Sequence, residues 1–394
     1  MRSKAPATSR AKAEKAHEGS AFHQYGDPDV LRYADVDQPV PGTGQVRVRV
    51  AATSFDPANA NIRAGLMLKA IPVTMPRTPG IDVAGTVEAL GAGVTGVQVV
   101  GFLPIARAGA AAEYVLAPAD VLTPAPRSIP LSDAAALPLV GLTAWQALFE
   151  HAKLTAGQRV LVNGAGGKVG GYAVQLAKCA GAYVIATASS RVTAAGADEI
   201  IDHTAADVIV AVKRPVDVAL NLAPVEPAQL AALLGLIRPG GVLVNTTVWM
   251  PAPADEDRGV RGINLFVHSD AEQLSHMVAL IDRGELRVDV ARGSRWQSCR
   301  PCTPPPRAHC LTARPSSCLE PDSHSLTSEE TFTIIHRHVV AALAKGAGDR
   351  RGRLRLIACE ECSCGTVRLS STGTVKLTKW PRSWDPPARR RRPC

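Results

Sequence analysis

The chain has 394 residues, of which 46% are hydrophobic and 20% charged, and its formal net charge is +9 at pH 7. This length and composition favour a globular enzyme of two domains and disfavour a disordered chain. The longest uncharged apolar stretch, 90–106, is interrupted by glycines and polar residues, so we expect no membrane span.

The first 20 residues are basic and polar and contain no apolar core. Glu14 and Glu18 disfavour a transit peptide, because such peptides contain few acidic residues. We therefore expect a disordered extension over 1–20 and a cytoplasmic protein.

Charge and cysteine are unevenly distributed along the chain. Residues 292–394 hold 19 Lys and Arg against 8 Asp and Glu, whereas the rest of the chain holds 25 against 27. Eight of the nine cysteines also follow residue 292, and only Cys179 precedes it. The sequence therefore changes character near residue 292.

From residue 21 to about 122, short apolar runs alternate with Pro and Gly, which is typical of strands and tight turns. The clearest strands are VRVRVAA at 46–52 and DVAGTVEAL at 82–90. This part predicts a compact β-rich domain. Residues 133–149 then show helical spacing, broken by Pro138 and Gly141, and predict a connection between domains.

From Arg159 onward, predicted strands alternate with helices, and this alternation predicts a parallel sheet with right-handed crossovers. The predicted strands are 159–163, 182–187, 199–202, 216–221, 242–247 and 263–267, and the predicted helices are 168–180, 229–237 and 270–283.

The segment VLVNGAGGKVGGYAVQLAK places a strand, a glycine-rich turn and a helix in the order that a dinucleotide site needs. Its glycines, Gly164, Gly167 and Gly170, are spaced G-x-x-G-x-x-G. Glycine lets the backbone approach the pyrophosphate, and the free N–H groups at the helix start favour its negative charge. The alternative is a tight turn that binds no ligand.

The end of the second strand of such a unit discriminates between NAD and NADP, because a carboxylate there binds the ribose 2′-hydroxyl and repels a 2′-phosphate. This chain has no carboxylate at that place and instead has Ser189, Ser190 and Arg191. The sequence therefore favours NADPH, with a solvated loop arginine as the alternative interpretation of Arg191.

Seven segments in order resemble the medium-chain dehydrogenase/reductase superfamily, in its zinc-independent quinone oxidoreductase (ζ-crystallin-like) branch. The resemblance covers about 21–290. It rests on AFHQYGDPDVLRYADV, GQVRVRVAATSFDPANANIRAG, PGIDVAGTVEALGAGV, AEYVLAPADVL, AAALPLVGLTAWQAL, the glycine turn with AVQLAK, and RPGGVLVN.

The resemblance implies an α/β protein with a GroES-like catalytic domain at 21–135 and a Rossmann NADPH-binding domain, a doubly wound parallel sheet, at 136–291. It implies hydride transfer from NADPH to a quinone or to the β-carbon of an α,β-unsaturated carbonyl, and a homodimer formed through the edge of the Rossmann sheet. The last region, 292–394, does not match and is expected to be a disordered tail.

The zinc-dependent branch of the superfamily holds its metal with Cys, His and an acidic residue. Here Asp56 stands in place of that Cys, and Gly80-Ile81-Asp82 stands in place of Gly-His-Glu. We therefore expect no metal site. Asp56, Asn59 and Thr143 are the pocket candidates from the resemblance, each with an ordinary packing role as the alternative.

The cofactor-binding prediction combines the turn, the NADP-discriminating loop and positions implied by the resemblance. Lys168 replaces a usual glycine, and either contacts a phosphate or crowds the loop. The crossover 188–198 is near the minimum length for a parallel connection. The predicted cofactor-binding residues are Thr143, Gly164, Gly166, Gly167, Lys168, Val169, Gly170, Ser189, Ser190, Arg191 and Asn221.

The tail 292–394 is rich in Arg, Pro, Ser and Cys and has no periodicity. We hypothesise a shifted reading frame, which sequencing of codons 288–296 would test. Cys299, Cys302, Cys359 and Cys362 form two C-x-x-C pairs, but the gap between the pairs is too long for an ordinary zinc ribbon. The basic run Arg389–Arg392 is interpreted as solvated, so nucleic acid is not an expected partner.

Two alternatives to a quinone or enone reductase remain open from the sequence. One is a nucleotide-binding protein of the same fold that is catalytically impaired because of its tail. The other is a nucleic-acid-binding protein that uses the basic tail.

Overall fold

The computed structural model describes residues 16–90, 96–188, 196–247 and 249–290, and four short strands at 292–294, 339–342, 367–369 and 375–377. The chain divides into two compact units, Met1–Ala347 and Gly348–Cys394. The described part of the second unit is the antiparallel pair β16 (Val367–Leu369) and β17 (Val375–Leu377). The first unit contains two large sheets.

The first large sheet is mostly antiparallel and lies in the β-rich region that was predicted to be the catalytic domain. Strand β3 at its centre pairs with both β4 and β6, and its alternating valines, Val46, Val48 and Val50, are buried in one apolar cluster. The elements of this region are β1 (Ala16–Ala21), β2 (Arg32–Asp37), β3 (Gln45–Ser54), α1 (Pro57–Arg63), β4 (Asp82–Leu90), β5 (Gln98–Phe102), β6 (Tyr114–Pro118) and β7 (Leu122–Pro124).

Strand β1 corrects the prediction of a disordered extension over 1–20. The strand begins at Ala16 and pairs antiparallel with all six residues of β2. The N–H of Ser20 also donates to the carbonyl of Ala111 at 2.8 Å, which ties β1 to the rest of the domain. The sequence AHEGSA has few residues that favour strands, so tertiary pairing decides its conformation. Residues 1–15 lie outside the described part of the chain.

The connection between the domains contains α2 (Leu131–Ala134), α3 (Pro138–Trp145) and one π-helical stretch, Gln146–His151. Pro138 begins α3, where a missing N–H costs nothing. Gly141 was predicted to break the helix, and this prediction is wrong. Gly141 lies inside α3, where a Cβ atom would be 3.1 Å from the sulfur of Met277, so glycine allows a close helix approach.

The second large sheet has six parallel strands in the order β10-β9-β8-β11-β12-β13, with helices on both faces. This is the predicted doubly wound Rossmann arrangement. Its elements are β8 (Arg159–Asn163), α4 (Lys168–Cys179), β9 (Tyr183–Ala188), β10 (Glu199–Asp202), α5 (Val208–Ala211), β11 (Val216–Asn221), α6 (Pro227–Leu233), β12 (Ile237–Asn245), β13 (Arg261–Asn264) and α7 (Ala271–Asp282).

Strands β12 and β13 differ most from the predicted strand positions. Strand β12 begins at Ile237, because the chain pairs with Val216 before a bulge, and it ends at Asn245 rather than Thr247. Strand β13 covers 261–264 rather than 263–267.

Hydrogen bonds at two places join the parallel sheet region to the β-rich domain within the first unit. One Asp282 oxygen accepts from the N–H groups of Arg127 and Ser128 at 2.8 and 2.9 Å. The hydroxyl of Ser269 donates to the carbonyl of Phe102 at 2.6 Å. These contacts hold α7 and the segment before it against the catalytic domain.

The region predicted as a disordered tail contains β14 (Arg292–Ser294) and β15 (Val339–Ala342) in the first unit. Strand β15 pairs antiparallel with Ala52–Ser54 of β3, so a segment returns to the catalytic sheet, which the sequence analysis did not predict. Other residues of 292–394, including the C-x-x-C pairs and Arg389–Arg392, lie outside the described residues, and disorder there stays a prediction. The domain limits 21–135 and 136–291 also stay predictions.

Candidate cofactor site and its surroundings

The glycine turn joins the end of β8 to the start of α4. Gly164 has a φ of +93°, a conformation that glycine adopts without strain, and a Cβ there would lie 3.0 Å from the nitrogen of Ala223. A Cβ on Gly170 would lie 2.5 Å from the Cα of Ala165. Glycine is therefore required at 164 for the conformation of the turn and at 170 for the close contact of α4 with the turn.

The N-terminus of α4 has no side-chain cap. Gly167 is the N-cap residue, with extended backbone angles, and in the described part of the chain no side-chain hydrogen bond caps the helix. Gly166 is exposed at the tip of the turn, and Val169 packs against the core. Strand β8 lies between β9 and β11, where the strand order reverses, which is the place where doubly wound sheets bind their ligands. The turn therefore fits a dinucleotide pyrophosphate.

Lys168 is the first residue of α4, and its ammonium group donates to the carbonyl of Asp289 at 3.1 Å. Burial lowers the pKa of Lys168, and the nearby Asp289 carboxylate opposes this shift. The side chain thus ties the helix start to the segment after α7. The predicted contact of Lys168 with a cofactor phosphate stays a prediction.

Asparagine ends four adjacent parallel strands, and we call these residues with Thr187 the asparagine ladder. Asn163 donates to the Oδ1 of Asn221 at 2.8 Å, and Asn221 donates to the Oδ1 of Asn245 at 2.9 Å. Thr187 donates to the Oδ1 of Asn163 at 2.9 Å and accepts from the N–H of Gly164 at 2.8 Å. The chain of bonds therefore reaches the glycine turn.

The far end of the asparagine ladder lies at the edge strand β13. The amide of Asn245 is 3.5 Å from the Oδ1 of Asn264 and also donates to the carbonyl of Met250 at 2.7 Å. Thr187, Asn221 and Asn245 have at most 1% of their surface exposed. Buried amides need partners, and the ladder supplies them.

Asn221 was predicted to bind the cofactor, and the structure places it at the centre of the ladder with a fully buried side chain. Its oxygen accepts from Asn163, and its nitrogen donates to Asn245 and to the carbonyl of Ala223. This placement favours an indirect role. Ser189, Ser190 and Arg191 lie outside the described residues.

Asp56 and Asn59 meet at the start of α1. One Asp56 oxygen caps the helix by accepting from the N–H of Asn59 at 3.0 Å, and the other accepts from its side-chain amide at 2.8 Å. The oxygen of Asn59 accepts from the N–H of Gly80 at 2.9 Å. Burial raises the pKa of Asp56 to about 6, against its hydrogen bonds from Asn59.

Asp82 is the second buried carboxyl of this region. It accepts hydrogen bonds from the hydroxyl of Ser54 and, at 2.8 Å, from the N–H of Leu139 at the start of α3. Burial, and then the negative charge of Asp56, raises the pKa of Asp82 to about 8. Asp82 thus joins the catalytic domain to the first turn of α3 as a carboxyl that is largely protonated at neutral pH.

Thr143 lies one turn further along α3. Its hydroxyl donates to the carbonyl of Leu139 at 2.7 Å, which is the usual bond of a helical threonine, and its side chain is almost buried. The structure thus brings Asp56 into contact with Asn59 and places Thr143 one helical turn from Leu139, which bonds to Asp82.

Zinc needs several deprotonated ligands that converge on one point. Within the described ranges, no three His, Cys, Asp or Glu side chains form such a group. The Asp56 and Asp82 oxygens accept hydrogen bonds from the protein, and both carboxyls have raised pKa values. These residues do not fit a zinc ion.

Of the asparagine ladder, Asn221 alone was predicted from the sequence as a site residue. A signal was present, since the segments RVLVN, VDVALN, VLVN and RGIN all end in asparagine. Strand register then places these residues side by side.

Two family models match the chain. The model described as Alcohol dehydrogenase GroES-like domain matches residues 42–127, and the one described as Zinc-binding dehydrogenase matches 195–298. A quinone oxidoreductase of Mus musculus is 34% identical over 251 residues, which are 59% of this chain and 74% of the mouse protein. A chloroplastic quinone-oxidoreductase homolog of Spinacia oleracea is 36% identical, with 45% of this chain matching 58% of the spinach protein.

Solved structures show the same arrangement. The quinone oxidoreductase from Coxiella burnetii has a TM-score of 0.68 at 25% identity, covering 84% of this chain and 100% of that one. The quinone oxidoreductase of Pseudomonas syringae has a TM-score of 0.63 at 26% identity, covering 72% and 94%. This chain therefore belongs to the medium-chain dehydrogenase/reductase superfamily, in its quinone oxidoreductase branch.

Across the described residues, no helix has both the length and the apolar character that a membrane crossing requires.

Proposed function

We propose that this chain is an NADPH-dependent oxidoreductase that transfers a hydride to a quinone or to the β-carbon of an α,β-unsaturated carbonyl, without zinc. The observation that carries the proposal is the uncapped start of α4 behind Gly164, at the point where the strand order reverses. The quinone oxidoreductase relatives support the class of reaction.

The preference for NADPH rests on Ser189, Ser190 and Arg191, which supply two hydroxyls and a cation and no carboxylate. When bound, the nicotinamide supplies the hydride. The chain's own residues hold the dinucleotide at the turn and position the acceptor beside it.

Independence from zinc is supported by the state of the two buried carboxyls. A zinc ion polarises an alcohol for oxidation, whereas an electron-poor alkene or quinone accepts a hydride without such a Lewis acid. Asp56 caps α1 and Asp82 bonds to Ser54 and Leu139, so both side chains have structural partners.

Fluorescence titration with NADPH and NADH, followed by NADPH oxidation with a panel of quinones and enones, tests the proposal. We expect tighter binding of NADPH than of NADH, turnover with at least one acceptor, and no loss of activity after treatment with a chelator. Binding of NADPH without turnover would favour the catalytically impaired alternative. Binding of neither nucleotide would overturn the proposal.

The oligomeric state is a further part of the proposal. Strand β13 is the edge of the described parallel sheet, and Phe266 just after it is 58% exposed. We propose that this edge joins two copies of the chain into a homodimer, as the family resemblance implies. Light scattering after size exclusion would show a monomer if this part is wrong.

A further inference from the structure

We propose that the asparagine ladder is a positioning device for the glycine turn, which sets the affinity for the nucleotide by orienting the N–H of Gly164 through Thr187. The inference rests on the proposed function, because it assigns the ladder a role in binding the dinucleotide. It makes Thr187 and Asn163 positioning residues that act through the backbone of the turn.

The ladder occupies one face of the parallel sheet. Side chains alternate between the faces of a strand, so four members, Asn163, Thr187, Asn221 and Asn245, each share a face with the residue two positions before it. Those preceding residues belong to the apolar cluster on the side of α6, whereas α4 packs on the opposite face. They are Leu161, Ile185, Ala219 and Leu243, and each is fully buried. On this face of the sheet, the polar side chains of the ladder therefore lie at the carboxyl edge, directly after a row of buried apolar side chains.

The backbone groups at the two ends of the ladder determine which way the amides of Asn163, Asn221 and Asn245 point. A backbone N–H can only donate, so the hydroxyl of Thr187 accepts from Gly164 and directs its own proton to Asn163. The oxygen of Asn163 is thereby an acceptor, and its nitrogen must donate to Asn221. At the other end, the nitrogen of Asn245 donates to the carbonyl of Met250, which can only accept.

Thr187 holds two consecutive amides of the turn. Its hydroxyl accepts from the N–H of Gly164, and its carbonyl accepts from the N–H of Ala165 at 2.9 Å. The carbonyl of Gly164 in turn accepts from the N–H of Gly167 at 3.1 Å, just before α4 starts. A change in the orientation of Gly164 would therefore displace Gly167 and the first N–H groups of α4, which we propose bind the pyrophosphate.

Thr187→Val tests this inference, because valine keeps the shape of threonine and removes the hydroxyl. Thr187→Ser keeps the hydroxyl and serves as the rescue variant. Thr187→Cys supplies a thiol, which is a weaker donor and acceptor than a hydroxyl, so its hydrogen bonds are intermediate in strength between those of the serine and valine variants. Thr123→Val is the matched control, since Thr123 is also a buried strand threonine and lies in the catalytic domain. Amide hydrogen exchange of the cofactor-free protein and NADPH titration are measured for each.

We expect Thr187→Val to speed exchange at Gly164 by about tenfold or more and to raise the Kd for NADPH about tenfold, the loss expected for one buried hydrogen bond. Its kcat should stay within about twofold of the unmodified protein, because uniform binding changes KM alone. Thr187→Ser should restore both values, Thr187→Cys should lie between them, and Thr123→Val should change neither.

Unchanged exchange at Gly164 in Thr187→Val, or equal weakness of the valine and serine variants, would overturn the inference. Should the valine variant fail to fold, the comparison of serine with cysteine decides, and equal Kd values for these two would also overturn it. Absence of nucleotide binding in the unmodified protein overturns the proposed function instead, and the exchange measurement distinguishes the two failures.

Discussion

Gly170 and Gly171 are neighbours in the first turns of α4, and their surroundings are opposite. A Cβ at 170 would meet the backbone of Ala165, whereas a Cβ at 171 would meet nothing within 4 Å. The two positions therefore form a matched pair of tests for the turn.

We expect Gly170→Ala to lower the free energy of unfolding by about 1–3 kcal/mol, since the new methyl group collides with rigid backbone, and to abolish detectable NADPH binding. Gly171→Ala should raise the free energy of unfolding by about 0.5–1 kcal/mol, because alanine is the better helix former. Denaturant unfolding and NADPH titration measure both. Equal behaviour of the two variants would show that the close contact does not constrain the turn.

Asp82 makes the stability of the protein depend on pH. Its folded pKa of about 8 lies above the ordinary value of 3.8, so the folded state holds a proton that the unfolded state has released. The contribution of Asp82 to the free energy of unfolding is fully present below the unfolded pKa of 3.8. It is lost as the pH rises through the folded pKa of about 8. Between pH 6 and 8 the loss is on the order of 2 kcal/mol.

Asp82→Asn removes this titration and keeps the shape of the side chain, and its amide can donate to Ser54 while its oxygen accepts from Leu139. We expect the free energy of unfolding of Asp82→Asn to fall less between pH 6 and 8 than that of the unmodified protein. Urea unfolding at pH 6, 7 and 8 gives the comparison. Parallel curves for the two proteins would contradict the assignment of a raised pKa.

Among the individual site residues, the sequence identified the glycines of the turn, and its pocket candidates Asp56 and Asn59 stay predictions. It did not predict that Lys168 bonds to Asp289 or that Asn221 is buried in a ladder. These roles depend on which strands are neighbours, and neighbours in a parallel sheet are distant in the chain.

At the scale of elements, the start of helix α7 is capped by the side chain of Asp270. One oxygen of Asp270 accepts from the N–H groups of Glu272 and Gln273 at 3.0 and 2.9 Å. The helix then buries Leu274 and Met277 in the main core.

We expect Asp270→Ala to lower the free energy of unfolding by about 1 kcal/mol, because two N–H groups lose their acceptor. Asp270→Asn keeps an oxygen in the same place and should cost at most a few tenths of that amount. Thermal unfolding of both variants measures the difference. A loss as large for asparagine as for alanine would assign the effect to the charge at the helix start instead.

Periodicity predicted most elements of the parallel sheet to within a few residues, and its errors have physical causes. Strand β12 begins early because Ile237 pairs across a bulge, and Gly141 lies inside α3 where Met277 of α7 leaves no room for a Cβ atom. In both cases a tertiary contact overrides the local preference of glycine and proline.

At the scale of the whole molecule, β15 makes the catalytic sheet depend on residues far along the chain. Its main chain pairs with Ala52–Ser54 of β3, whereas the glycine turn and the asparagine ladder lie between 159 and 264. We therefore expect stability of the catalytic domain and nucleotide binding to be separable.

A chain that ends at Val290 tests this separation and keeps the contact of Lys168 with Asp289. We expect its free energy of unfolding to fall, because the edge of β3 loses its main-chain partners, and its Kd for NADPH to stay within about threefold of the full chain. A large loss of NADPH affinity would show that the final segment supports the cofactor site. Unchanged stability would show that the pairing of β15 with β3 contributes little.

The order of the two domains and the class of fold followed from the sequence, since they rest on long periodic segments and seven ordered motifs. The return of β15 did not, because a four-residue strand of small and β-branched residues is no signal on its own.

The asparagine ladder also bears on chemical ageing. Asparagine followed by glycine is the dipeptide most prone to deamidation, because the glycine nitrogen attacks the side-chain amide, and Asn163-Gly164 is such a pair at the cofactor turn. Here that nitrogen is bonded to Thr187 and the amide is held by Asn221, so neither group is free to reach the other. We therefore expect the ladder to slow deamidation of Asn163 in the folded protein.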